Sequence, residues 1–150
     1  MRDLIRIARL SNQYKNFMTK DTDIKGKYCK FIMFLNHHEG MTQDEIASSM
    51  SMDKSNAARQ LSDMEKDGFI ERRVKPEDKR NLLIFPTKKA KDAYPFVKEL
   101  LISWDDYVME DLTEEEKKVY YSIIKKMKDR ANSWREHDFS AVSYKEETDI

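Results

Sequence analysis

A chain of 150 residues with 28 Lys/Arg, 28 Asp/Glu and a formal net charge of zero fits one domain with a modest core. No apolar run approaches a membrane span, and the opening Met-Arg-Asp-Leu-Ile lacks signal-peptide character. A single cysteine excludes an intramolecular disulfide framework, so a cytoplasmic location is expected. Three glycines and three prolines, beside frequent Glu, Lys, Leu and Met, point to a mainly helical protein.

Residues 3–19 carry Leu4, Ile7, Leu10, Tyr14, Phe17 and Met18 three or four apart, which is one face of a helix. Lys20 to Gly26 breaks it. Lys27 to His38 is expected to form a second helix, apolar almost all round and therefore buried from several sides, ending at Gly40. Thr42 and Glu45 then form a Thr-x-x-Glu capping box, with Met41 and Ile46 spaced as a hydrophobic staple. The helix 43–50 turns Ile46, Ala47 and Met50 inward. Ser51-Met52 turns the chain, and Asp53 caps a helix 54–67 whose inner side is Ala57, Ala58, Leu61 and Met64. Lys54, Ser55, Asn56, Arg59, Gln60 and Asp63 are expected on or near its other side, and Gly68 stops it.

Phe69 to Val74 and Leu82 to Phe85 read as strands joined by a turn-rich tip, Lys75-Pro76-Glu77-Asp78-Lys79-Arg80. Pro86-Thr87 leads into a helix at about 88–110, with Ala90, Ala93, Tyr94, Val97, Leu100, Leu101, Trp104 and Val108 inward and a kink expected near Pro95. Thr113 and Glu116 make a second capping box. It opens a helix to about Trp134 with Val119, Tyr120, Ile123, Ile124, Met127 and Ala131 inward. The tail 137–150 is polar, without a period, and is expected to be mobile. The fold class is thus mainly α with a small antiparallel β-wing: a helix-turn-helix and wing at about 40–87 between N- and C-terminal helices.

The neutral total hides a polarised chain. Residues 54–91 hold eleven Lys/Arg against six Asp/Glu, a net of +5. Residues 92–150 hold nine against fifteen, a net of −6, and residues 1–53 eight against seven, +1. The positive excess falls on the second helix of the motif and on the wing, where phosphates would be met.

With the elements in this order, the sequence resembles the MarR family of winged-helix transcriptional regulators. The resemblance rests on Ile46-Ala47-x-x-Met50, Met52-Asp53-Lys54-Ser55-Asn56-Ala57-Ala58-Arg59, Leu61-x-x-Met64-Glu65-x-x-Gly68-Phe69-Ile70 and Asp78-Lys79-Arg80. Pro86-Thr87-Lys88-Lys89-Ala90 resembles the family's Leu-Thr-x-x-Gly, with proline for leucine and alanine for glycine, both matters of helix geometry. The likeness covers roughly 1–136, as a single domain. It implies a homodimer whose terminal helices, about 1–38 and 88–136, interlock while each subunit offers one winged helix to double-stranded DNA. The implied function is a repressor on an inverted-repeat operator, released by a small aromatic or phenolic effector. A winged helix that docks on protein or serves as a dimerisation domain, without sequence-specific DNA binding, is the alternative.

Ser55, Asn56, Arg59 and Gln60 occupy the first turns of the presumed recognition helix, nearest the base edges, with Lys54 beside them for phosphate. Arg can bridge guanine's two acceptors, and Asn or Gln can bridge adenine's donor and acceptor. The bland reading of such residues is a solvated helix face; the wing and the charge split favour DNA. The resemblance implies that Arg80 enters the minor groove, oriented by Asp78; otherwise the two make a hairpin-tip salt bridge of little energetic value. Lys75, Lys79 and one of Arg72 and Arg73 add phosphate attraction, strand alternation turning the other away. Thr42 and Gln43 are placed to bring backbone N–H groups to a phosphate.

Cys29, in an apolar helix, is more a small hydrophobe than a redox sensor. Adjacent His37 and His38 diverge on a helix, and nothing further supports a metal site. No nucleophile–base pair or glycine-rich phosphate loop stands out, so neither an enzyme nor a cofactor is expected. Tyr14, Phe17, Tyr28, Phe31 and Trp104 are the aromatic residues available to an effector space, though aromatic residues at helical spacing are more often core. Arg80→Ala is expected to weaken operator binding strongly; an unchanged affinity in a titration would remove the wing from the mechanism.

Overall fold

The computed structural model describes residues 1–75 and 78–136, and the side chains of 1–74 and 82–134. The elements are α1 (Arg2–Met18), a 3₁₀ turn (Gly26–Tyr28), α2 (Cys29–Leu35), β1 (Met41–Thr42), α3 (Gln43–Ser49) and α4 (Lys54–Lys66). They continue with β2 (Ile70–Lys75), β3 (Asp78–Pro86), α5 (Lys88–Val108) and α6 (Glu114–Glu136). The span 1–136 comprises two compact units, Met1–Val108 and one beginning at Met109. The expectation for 137–150 lies outside the described residues.

In the first unit the core is built from Tyr28, Phe31, Ile32 and Leu35 of the 3₁₀ turn and α2, Ile46 and Ala47 of α3, and Ala57, Leu61 and Met64 of α4. Phe69, Ile70 and Ile84 of the wing and Ala90 and Val97 of α5 complete it. The expected second helix is shorter than 27–38: its first turn is 3₁₀ and it ends at Leu35. Gly26 permits that start, because a Cβ there would lie 2.9 Å from the backbone nitrogen of Asn16 in α1. The Asn16 side-chain oxygen and the backbone of Lys15 and Asn16 crowd this position, so only a glycine seats the turn this closely against α1.

Both helices of the motif begin and end as their side chains dictate. Thr42 and Glu45 close the capping box on α3, and Asp53 accepts the Asn56 N–H at the start of α4. At the far end of α4, Gly68 adopts φ +78°, its N–H donates to the Glu65 carbonyl at 3.0 Å, and the Phe69 N–H donates to the Met64 carbonyl at 2.8 Å. This pair of bonds is a Schellman motif. The same pattern ends α3, where the Ser51 N–H donates to Ser48 and the Met52 N–H to Ala47, with Ser51 at φ +51°. The turn between the helices is therefore a left-handed cap carried by a serine.

The sheet has three antiparallel strands in the order β1-β3-β2. β1, two residues long, pairs Met41 with Ile84 and Thr42 with Leu83. The wing is longer than expected, with backbone pairing from Ile70↔Pro86 out to Lys75↔Asp78 and a register shift between Val74 and Lys75. α2 and α1 both pack on α5, which continues unbroken through Pro95.

In the second unit, Thr113 and Glu116 reproduce the predicted capping box: the Thr113 N–H donates to Glu116 Oε2 at 2.8 Å, and the Glu116 N–H donates back to the threonine hydroxyl at 3.3 Å. On the inward face expected for α6, Val119, Tyr120, Ile123 and Met127 are exposed. On α1, Ile7, Leu10 and Phe17 are likewise exposed, and no residue of that helix is buried. Val108, expected inward on α5, is also exposed. A 3.6-residue apolar period predicts a buried face without saying which chain buries it.

Nothing lies within 4 Å of a Cβ built at Gly68, so Gly68→Ala tests the left-handed backbone alone. We expect a loss of about 1 kcal/mol in urea unfolding at fixed protein concentration. Gly40→Ala should cost more, because its φ is +75° and the Phe85 ring stands 3.2 Å from the new carbon.

Candidate nucleic-acid interface

The N-terminal half of α4 presents a polar face held in order by its own cap. Asp53 Oδ1 accepts from both the Ser55 hydroxyl, at 2.5 Å, and the Asn56 N–H, at 2.9 Å. Lys54 is exposed and pairs with Asp44 of α3 at 2.6 Å. Such an exposed pair is worth little, so the ammonium is available to a phosphate. Arg59 is exposed, and its Nη2 donates to Asn56 Oδ1 at 3.3 Å. Lys54, Ser55 and Arg59 thus stand on one exposed face with the half-buried Asn56, as their spacing predicts.

Gln60 does not join them. Only 9% exposed, it turns inward, and its Nε2 donates to Asn56 Oδ1 at 2.8 Å. Helical spacing puts position 60 at the boundary between the two faces, and the neighbouring Ala57 and Leu61 draw it to the inner side. Thr42 is engaged by its own capping box. Its N–H donates to Glu45 Oε2 at 2.7 Å and its hydroxyl to the same oxygen at 2.9 Å, so the capping box already occupies the N–H reserved for a phosphate. Gln43 uses its side-chain oxygen to accept from Arg72 Nη2 at 3.4 Å.

Strand alternation separates the two wing arginines as anticipated. Arg72 is turned toward the helices, where it pairs with Glu65 of α4. Arg73 faces the other way, exposed, pairing with Glu71 and lying over the Phe85 ring with 4.4 Å between guanidinium and centroid. The backbone places Lys75 and Asp78 opposite each other near the wing tip. The side chains of Lys75, Asp78, Lys79 and Arg80 lie outside the described residues. Between α3, α4 and the wing, Thr42, Gln43, Asp44, Ala58, Ser62, Arg72 and Leu82 line an open polar cleft of about 480 Å³.

The distal half of α4 is anchored by residues that carry no local signal. Lys27 Nζ donates to Asp63 at 2.5 Å. Asp67 Oδ2 accepts from Lys25 Nζ and from the Tyr28 hydroxyl, each at 2.6 Å. The bond from Lys25, then that from Tyr28, holds the Asp67 carboxyl below its ordinary range, and Lys27 does the same for Asp63. Burial first, and the bond to Asp67 second, push Tyr28 up to about 12, so it remains a phenol donor at any ordinary pH. These pairs join positions 36 to 42 residues apart, a separation at which no sequence spacing speaks.

Other candidates are accounted for by local contacts. Cys29 is fully buried and burial pushes its thiol up, away from the reactive thiolate. His37 shares a hydrogen bond with the Tyr94 hydroxyl, and His38 stacks on Phe34. Among the described residues no His/Cys/Asp/Glu group is arranged to hold a metal ion. Tyr28 and Phe31 are core, while Tyr14 packs on Trp104 with ring centroids 5.2 Å apart.

The sequence model of the MarR family matches residues 30–82, from α2 into the wing. The HTH-type transcriptional regulator BilQ of Clostridium symbiosum is 34% identical over 97 residues, covering 65% of this chain and 67% of that protein. The chain belongs to the MarR family. YybA of Bacillus subtilis, also an HTH-type transcriptional regulator, is 26% identical over 129 residues and 85% of each chain. Among solved structures, a SlyA-like transcription regulator from Listeria monocytogenes superposes with a TM-score of 0.88 at 23% identity, covering 96% of this chain and 97% of that one. A MarR family regulator from the same organism, solved with a 26mer DNA, gives 0.85 at 23% identity and coverages of 95% and 97%. At these identities the superpositions speak for the fold. As a MarR family member the chain is a DNA-binding transcriptional regulator and not an enzyme. Among the described residues no helix is long and apolar enough to cross a membrane.

The lowered carboxyls fix the sign of an acid response. A depressed folded pKa contributes stability above the ordinary value of 3.8 and loses it as pH falls through the lowered folded value. In acid unfolding followed by circular dichroism, the Asp63→Asn/Asp67→Asn variant should begin less stable than the parent and lose less below about pH 3.8. Parallel curves would remove the two pairs from the acid response.

Proposed function

We propose that this MarR family chain is a homodimeric repressor of an inverted-repeat operator, with residues 1–136 of each copy acting as one functional domain. α4 enters the major groove with Ser55, Asn56 and Arg59 toward the base edges and Lys54 toward phosphate. The wing, with Arg73, Lys75, Asp78, Lys79 and Arg80, reaches the flanking backbone and minor groove. The observation that carries this reading is the polar face at the start of α4, ordered by Asp53 and exposed beside the positively charged wing. A helix so presented offers its N-terminal side chains to bases.

The second copy is supported by what α1 and α6 leave uncovered. Ile7, Leu10 and Phe17 on one helix, and Val119, Tyr120, Ile123 and Met127 on the other, are apolar stripes of a kind that marks interaction sites. Burial against an identical chain satisfies both and sets the separation of the two α4 helices. An effector, a small aromatic or phenolic compound, would act by changing that separation, since half-sites lie about one turn of DNA apart. Tyr14, Phe17 and Trp104 are the aromatic residues left for it once Tyr28 and Phe31 are assigned to the core.

Gel-shift titrations on DNA flanking the chain's own gene test the proposal. Affinity should fall on the order of a thousandfold between about 50 and about 200 mM salt, as for several neutralised phosphates. Footprinting should give two symmetric half-sites. Ile123→Glu should shift the protein toward monomer in sedimentation and lower operator affinity on the order of a hundredfold, the scale of lost avidity. Salt-insensitive binding, or a dimer indifferent to Ile123→Glu, would count against the reading.

A further inference from the structure

Three side chains on α4 share one oxygen. Asn56 Oδ1 accepts from Gln60 Nε2 at 2.8 Å and from Arg59 Nη2 at 3.3 Å. An amide oxygen has two lone pairs, and here each has a donor. The assignment of that atom as oxygen follows from chemistry: a guanidinium only donates, so the Asn56 atom facing Arg59 must accept. Gln60 must then turn its NH₂ toward the same oxygen. Its own carbonyl, Oε1, is left buried with no hydrogen-bond partner among the described residues.

A buried carbonyl without a partner is costly, and an apolar side chain of similar length would avoid the cost. What glutamine supplies at position 60, and methionine or leucine would not, is the donor to Asn56. We propose that Gln60 is a positioning residue for base recognition. It holds the Asn56 amide with its oxygen turned back along the helix and its NH₂ outward, so that Asn56 reads only hydrogen-bond acceptors. This deepens the major-groove role proposed for α4 and rests on it.

The consequence is a preference opposite to the usual one for asparagine. Bidentate recognition of adenine needs the amide oxygen for N6–H and the amide nitrogen for N7. With the oxygen taken, the N6 amino group of adenine and the N4 amino group of cytosine meet only another donor. Guanine offers two acceptors, O6 and N7, on its major-groove edge and suits an outward NH₂ best. Arg59, whose Nη2 contact with Asn56 leaves its other guanidinium donors available, favours the same base.

The test is selection from a randomised duplex library by the full-length chain, its Gln60→Met and Gln60→Glu variants and Asn56→Ala. Circular dichroism establishes folding and a salt titration follows the phosphate contribution. The base pair read by Asn56 is the one whose preference disappears in Asn56→Ala. There the parent should select guanine. Gln60→Met should admit adenine about tenfold more readily at an unchanged salt slope, because the freed oxygen can again accept. Gln60→Glu, which presents an acceptor to Asn56, should turn its amide over and favour adenine or cytosine; this variant decides the matter if methionine does not fold. Adenine selected by the parent, or a preference unmoved by both substitutions, overturns the proposal while leaving α4 as a base reader. A parent that binds DNA with steep salt dependence but selects no sequence overturns the base-reading role of α4 and this proposal with it.

Discussion

Asp67 is where the DNA-binding unit is tied together. Its carboxylate takes Lys25 and Tyr28 from the segment before α2, and its backbone carbonyl takes Lys89 Nζ from the first turn of α5 at 3.0 Å. The position is electrostatically awkward, because α4 ends there and its dipole places partial negative charge beside the carboxylate. Lys25 and the phenol offset that repulsion, and Lys27 does so for Asp63 one turn earlier. The far end of α4 is therefore fixed by long-range pairs while its near end is fixed by a local cap. A helix held at both ends suits the base-reading role proposed for Asn56 and Arg59, because such a role needs side chains fixed in place.

The same division explains what sequence could reveal. Capping boxes at Thr42/Glu45 and Thr113/Glu116, the Asp53 cap and the glycine after α4 are contacts within four residues, so spacing alone finds them. The outward position of Lys54, Ser55 and Arg59 follows from helical period in the same way. β1 was not legible, because two residues cannot show a period of two and its pairing with β3 spans about forty residues. The 3₁₀ start of α2 depends on how closely Asn16 approaches Gly26, which is a fact of tertiary packing.

Gln60 shows where pattern reading misleads. A polar residue at a face boundary is assigned outward by polarity, yet the structure buries it and uses one end of its amide. Its residual orphan oxygen is a local inconsistency of the sort that collects at functional positions. The apolar stripes of α1 and α6 mislead in the opposite sense. Their period foretells burial, yet Ile7, Leu10 and Phe17 on one helix and Val119, Ile123 and Met127 on the other are exposed. In both cases the sequence carries the chemistry of the residue and lacks the identity of its neighbour.

Thr42 belongs to two elements at once. Through its backbone it is the last residue of β1, paired with Leu83, and through its side chain it is the cap on which α3 starts. Arg72 adds a second rivet, running from the opposite strand to Glu65 of α4 and Gln43 of α3. Sheet and helices are thus joined through both Thr42 and Arg72. On the major- and minor-groove roles proposed above, such joints would make the two grooves of a half-site be met in one fixed relation. In the proposed homodimer, the freedom to fit different spacings would then lie in how two such heads are set apart.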